Sequence, residues 1–123
     1  MKILHTSDWH IGRYLYDYSL LEDQEYILNE IFDIAVNNCV DAVVISGDLF
    51  DRSVPSSPAV SVLDDFFYRL VQSGIKVLAV CGNHDGRQRM GFLSRMCTNS
   101  GIYLVNEFNP ENCLASFSDE FGK

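Results

Sequence analysis

The sequence has little histidine, little basic charge and no long apolar run. His5, His10 and His84 are the only histidines, so nothing past residue 84 can supply an imidazole. Nine Lys and Arg stand against 17 Asp and Glu, for a net charge of -8. That argues against a generic electrostatic nucleic-acid binder, which would be basic. It does not exclude an enzyme whose bound cations reverse the charge locally. No apolar run approaches the roughly 20 residues that span a bilayer. The opening MKILHTSDWH turns polar too early for the apolar region of a signal peptide, so a cytoplasmic protein without membrane association is expected. Four cysteines (Cys39, Cys81, Cys97, Cys113) form no Cys-x-x-Cys, which favours reduced, buried thiols over a disulfide framework or a zinc site. No internal repeat or low-complexity segment occurs. What is present is a 123-residue chain that is 47% hydrophobic, enough for one small domain with a core.

Residues 2–6 read as a short strand. Ser19 and Glu22 have capping-box spacing ahead of a helical pattern whose apolar stripe is Leu20, Ile27, Leu28, Ile31 and Ala35. Residues 42–45 are a continuous apolar run of strand length. Ser57 followed by Pro58 suits a helix start, Leu63, Phe66, Phe67 and Leu70 give the second stripe, and Gly74 suits its end. Residues 75–80 read as a third strand, 90–97 as a shorter helix and 102–105 as a fourth strand. This alternation predicts an α/β fold with a mainly parallel sheet and right-handed crossovers. The middle strands are apolar without alternation, as expected when both faces are covered. Residues 106–123 form a polar tail with no clear period.

Three polar clusters follow three of these strands: Asp8-Trp9-His10, Gly47-Asp48-Leu49-Phe50-Asp51 and Gly82-Asn83-His84-Asp85. Ligands of open parallel sheets bind beyond the carboxyl ends of the strands, so all three should meet at one edge. Asp8 and His10 are two apart and would point the same way in an extended segment. Asp48 has two oxygens with which to bridge two ions, and Asn83 offers a neutral carbonyl oxygen. Mixed oxygen and imidazole donors favour manganese, iron or zinc over calcium. Two ions about 3.5–4 Å apart are a known device for phosphoryl displacement. Each cluster alone has an ordinary reading, as a polar loop, a turn or a cap. Together and in order, each at a strand end, they point to a metal site.

HTSDWHIG, SGDLFD and CGNHD resemble the first three motifs of the calcineurin-like metallophosphoesterases. The long first motif, MKILHTSDWHIG, is most similar to the SbcD-type nuclease subunits within that family. The resemblance runs from residue 1 to about 105 and implies the N-terminal half of a four-layer α/β/β/α sandwich, with 106–123 opening the second half. It implies that Asp8 and His10 hold one ion, that Asp48 bridges two, and that Asn83 binds the second. His84 would be the catalytic histidine beside the scissile phosphate. The ions would be manganese first, with magnesium, iron or zinc as alternatives. The substrate would be DNA, cleaved as exonuclease and endonuclease in break repair, recombination and replication. The partners would be a second copy of the chain and an SbcC-like SMC-type ATPase. The residues by themselves leave open which of Asn83 and His84 is ligand and which catalyst, and whether DNA is the substrate.

Other residues carry weaker expectations. His5 should be a packed or hydrogen-bonded core histidine. Asp51 and Asp85 are candidate acceptors that orient ligands or loops. Trp9 could pack against the site or the substrate, with simple packing the safer reading. Arg87 and Arg89 could contact a phosphate or be solvated, and Arg13 and Arg52 read the same way. The family completes its site with Gly-His and Gly-His-x-His motifs, which this sequence lacks. The chain is therefore expected to be a fragment with little activity alone. A phosphatase or cyclic-nucleotide phosphodiesterase of the same superfamily and a non-catalytic remnant are the alternatives.

Overall fold

A computed structural model describes residues 1–82, 97, 100–105, 116, 118 and 122. Its elements are β1 (Ile3–Ser7), β2 (Tyr14–Leu15), β3 (Tyr18–Ser19), α1 (Leu21–Asn37), β4 (Ala42–Gly47), α2 (Ser57–Gln72), β5 (Lys76–Cys81) and β6 (Ile102–Val105). The four longer strands pair in the order β1-β4-β5-β6, every pair parallel. The α/β class expected from the alternation is the one observed. The short β2–β3 hairpin has no counterpart in the sequence pattern. The helix expected over 90–97 and the tail over 106–123 lie outside the described residues, apart from a few isolated positions.

The register sets where the polar clusters emerge. Ser7 pairs with Ser46, and Gly47 with Cys81, so β1, β4 and β5 end within one step of each other. Asp8, Asp48 and Gly82 therefore leave the sheet at one edge.

Only one sheet face is covered among the described residues. Val43, Ile45, Val77 and Ala79 are buried in one cluster with Leu28 and Ala35 of α1 and Leu63, Phe66, Phe67 and Leu70 of α2. Of their neighbours of opposite parity, Ala42 at the start of β4 is buried, but Val44 and Leu78 are half-buried and Val80 is 48% exposed. The unalternating apolar pattern is thus not matched, among the described residues, by cover on both faces. Strand order without reversal puts successive right-handed crossovers on the same side, which gathers both helices there. The unalternating apolar sequence of β4 and β5 supplies a second apolar face that these helices do not reach.

Helix ends show the local chemistry. At α2 the cap is Ser56, one residue earlier than expected, and its hydroxyl accepts from the Ala59 amide at 3.4 Å. Pro58 follows in the first turn, where its missing N–H costs nothing. At the other end the Gly74 amide donates to the Val71 carbonyl and the Ile75 amide to the Leu70 carbonyl, a Schellman ending with Gly74 at φ +77°. The end of α1 repeats this pattern with Cys39 at φ +51° in the glycine position. The capping box expected at Ser19 does not form. Leu20 stands at the capping position and has no side-chain acceptor, while Ser19, in β3, accepts from the Leu21 amide at 3.4 Å.

Candidate metal centre

The first loop is not extended. Asp8 has φ +53° and His10 φ +47°, both in the left-handed region. The alternation argument for Asp8 and His10 is therefore corrected: a tight turn, not a strand, brings them to the edge. Asp and His are among the side-chain-bearing residues that tolerate this region best. Backbone bonds to the next strand's exit hold the turn. The Asp8 amide donates to Ser46 O (3.0 Å), His10 to Asp48 O (3.1 Å) and Ile11 to Leu49 O (2.8 Å). Below it, Trp9 packs edge-on against Phe66 with ring centroids 5.3 Å apart, and its Nε1 donates to Thr6 Oγ1 at 3.0 Å. Trp9 is thus a packing residue, as expected.

Two glycines make the room. Gly47 has φ +86°, and a Cβ there would overlap the Asp8 carboxylate, with Asp8 Cγ at 3.0 Å. A Cβ on Gly82 would overlap the Asp48 carboxylate, with the Asp48 amide nitrogen at 2.7 Å and Cγ at 2.8 Å. Contacts under 3.0 Å are ones real Cβ atoms do not make. Each carboxylate therefore sits in space left by the glycine on the next strand.

His10 lies between two carboxylates. Its Nε2 is 3.9 Å from Asp48 Oδ2, and its Nδ1 is 3.7 Å from Asp51 Oδ1. These side chains are partly shielded, at 25% exposure for His10 and 14% for Asp48. An imidazole with one nitrogen toward one carboxylate and the other toward a second acid has the layout of a metal ligand and its orienting acceptor. Oxygen donors and an imidazole suit a first-row divalent ion in kind, and the glycine cradles leave room for the two carboxylates. Among the described residues no group of three His, Cys, Asp or Glu side chains encloses an ion by itself. Asn83, His84, Asp85, Arg87 and Arg89 lie outside the described residues.

His5 is hydrogen-bonded but is not a core residue. Its Nε2 meets Ser46 Oγ at 3.1 Å on the uncovered face of β1. Arg52 has its guanidinium 5.9 Å from the Tyr14 ring centre, which places it at the β2–β3 hairpin. One polar side chain at the site has no signal in the sequence. Gln24 of α1 accepts from the Gly12 amide at 2.9 Å and donates to the Trp9 and His10 carbonyls at 3.1 and 2.8 Å. All three partners are backbone atoms, so no residue pattern announces them.

The model of the calcineurin-like phosphoesterase family matches residues 1–121. The chain belongs to that family, whose chemistry is hydrolytic and depends on divalent metal. Among similar proteins is the SbcD subunit of the nuclease SbcCD from Staphylococcus epidermidis, 40% identical over 105 residues, which are 85% of this chain and 28% of that protein. Another is the SbcD subunit of the same nuclease from Staphylococcus saprophyticus subsp. saprophyticus, 38% identical over 113 residues, 91% of this chain and 30% of that protein. The chain spans less than a third of the length of these curated relatives. No helix among the described residues is long and apolar enough to cross a membrane.

Proposed function

We propose that this chain carries the first three strand-end motifs of an SbcD-type DNA nuclease subunit, a hydrolase of phosphodiesters. The observation that carries the reading is the pair of glycine cradles. They seat the Asp8 and Asp48 carboxylates at one sheet edge, where His10 Nε2 lies 3.9 Å from Asp48 Oδ2, in the family shown by the match. Asp8 and His10 would hold one ion, Asp48 would serve that ion and a second, and Asn83 would be a further donor to the second. Manganese is the ion proposed. When bound, two such ions activate water and neutralise charge on a phosphate. His84 acts on the leaving oxygen or the developing charge. Asp51 orients the His10 ring, and Asp85 is assigned the same kind of task at the third cluster. Arg87 and Arg89 are proposed phosphate contacts. The substrate is DNA, and the partners are a second copy of the subunit and an SbcC-like SMC-type ATPase. The setting is the cytoplasm. The names of the staphylococcal relatives support the nuclease assignment.

The test is a chimaera in which residues 1–105 of this chain replace the matching part of the S. epidermidis relative. Manganese-dependent cleavage of linear duplex DNA, abolished by His84→Gln, is the expected result. Hydrolysis of p-nitrophenyl phosphate without DNA cleavage would move the assignment to a phosphatase. Neither activity, from a folded chimaera, would overturn the enzymatic reading.

A further inference from the structure

The loop that carries Asp8 and His10 is gripped by Gln24, a side chain that belongs to none of the three clusters. Its amide is used at both ends. Oε1 accepts from Gly12 N at 2.9 Å, while Nε2 donates to Trp9 O at 3.1 Å and to His10 O at 2.8 Å. A carboxamide has two N–H donors and a carbonyl acceptor, so one side chain fixes three backbone groups in four consecutive residues. Those residues include His10 in the left-handed region, and Asp8, also left-handed, directly precedes them. Such backbone conformations persist only where the surroundings over-determine them. The Gln24 amide is a large part of that determination, because Gln24 stands in the first turn of α1 and α1 is anchored in the core through Leu28 and Ala35.

We propose that Gln24 is a positioning residue for the metal site. Through the Trp9 and His10 carbonyls it sets the frame from which the His10 imidazole and the neighbouring Asp8 carboxylate are presented. The inference rests on the metal reading given above. The plain alternative is that Gln24 merely ties a helix to a loop. Loss of a tie lowers stability and leaves metal affinity alone. Arg69 is a fair comparison for that case. It donates to Asn29 Oδ1 at 2.5 Å and lies 4.1 Å from the Phe32 ring centre, joining α2 to α1 at the end of α2 away from the polar clusters.

The experiment measures manganese binding by the full chain, from the electron paramagnetic resonance signal of the free ion, alongside thermal unfolding. Gln24→Met keeps the volume and removes all three bonds. Gln24→Glu keeps an acceptor for Gly12 but turns an oxygen toward two carbonyls. Both should weaken manganese binding about 10–100-fold, the usual effect of removing a group that orients a ligand. Arg69→Met should lower the melting temperature and leave manganese affinity unchanged. If both Gln24 variants bind like wild type while Asp48→Asn loses the ion, the inference is wrong and the metal reading stands. If Arg69→Met weakens binding as much at equal loss of stability, the inference is also wrong. If wild type takes up no manganese, or Asp48→Asn takes up as much, the metal reading fails and the inference with it. Should Gln24→Met not fold, Gln24→Glu decides by the same comparisons.

Discussion

Three glycine-to-alanine substitutions separate the room a ligand needs from the backbone freedom a turn needs. Gly74 has φ +77° and nothing within 4 Å of a Cβ, so Gly74→Ala tests backbone strain alone. Gly82 lies outside the left-handed region, and its Cβ would overlap Asp48, so Gly82→Ala tests the clash alone. Gly47 combines both, with φ +86° and the Asp8 carboxylate in the way. The left-handed region costs a side-chain-bearing residue about 1–2 kcal/mol. Reduced unfolded-state entropy returns about 0.4–1 kcal/mol of that, leaving Gly74→Ala down by about 1 kcal/mol. For a chain of this size that is a fall of roughly 4 °C in melting temperature. The Gly82→Ala clash includes a backbone nitrogen at 2.7 Å, which no rotamer change relieves. Overpacking of this kind costs about 1–3 kcal/mol, and it moves the Asp48 carboxylate. Manganese affinity should therefore fall at least tenfold in Gly82→Ala and Gly47→Ala, and not in Gly74→Ala, with Gly47→Ala the least stable. Isothermal titration with manganese and thermal unfolding by circular dichroism give the two readouts. Wild-type affinity in a folded Gly82→Ala would refute the idea that this glycine exists to seat Asp48.

Asp48→Asn, in the chimaera described above, should lose most bound metal and most activity, since one carboxylate is assigned to both ions; near-normal manganese content by elemental analysis would end the bridging role. His84→Gln should keep the metals and lower turnover by about 10²–10⁴-fold, the usual worth of positioned proton transfer, and a parallel loss of metal would reassign His84 as a ligand. Phe66→Ala should cost about 3–5 kcal/mol in chemical denaturation, because Phe66 is 2% exposed and supports the Trp9 ring; a loss under about 1 kcal/mol would show that the site loop does not rest on this core. Cys39→Gly should raise the melting temperature by a few degrees, since glycine relieves about 1 kcal/mol of left-handed strain at the end of α1; an unchanged or lower value would mean that the cysteine side chain contributes an offsetting contact.

The legible parts of this molecule are those where side-chain type and position carry the physics. The stripe of α2 is one of them, since Leu63, Phe66, Phe67 and Leu70 are all buried. The stripe of α1 is less legible. Leu28 and Ala35 are buried, but Ile27 is 54% exposed. Ile27 is one residue from Leu28 and so turned about 100° around the helix, and an apolar side chain there says nothing of which way it faces. The placement of Asp8 and Asp48 at one edge follows from strand order and cluster position. The shape of the first loop does not follow, since period-two reasoning holds only while a strand continues, and β1 stops at Ser7. Gln24 is hidden for another reason. Its partners are amides and carbonyls, which every residue has, so no spacing distinguishes it from any other glutamine on a helix.

The two glycines also explain why the second and third motifs read Gly-Asp and Gly-Asn. In each, the glycine ends or follows a strand and serves the carboxylate of the strand beside it. The carboxylate of Asp8, after β1, occupies the space at Gly47 of β4, and that of Asp48, after β4, occupies the space at Gly82 after β5. The dependence runs in one direction across the sheet and follows the observed order β1-β4-β5. A glycine that looks like part of a local turn is thus also a gap for the carboxylate of the neighbouring strand. That arrangement needs parallel strands ending in step, which the pairing of Ser7 with Ser46 and of Gly47 with Cys81 provides. A shift of one residue in either register would carry the glycine away from the carboxylate and put a side chain in its place.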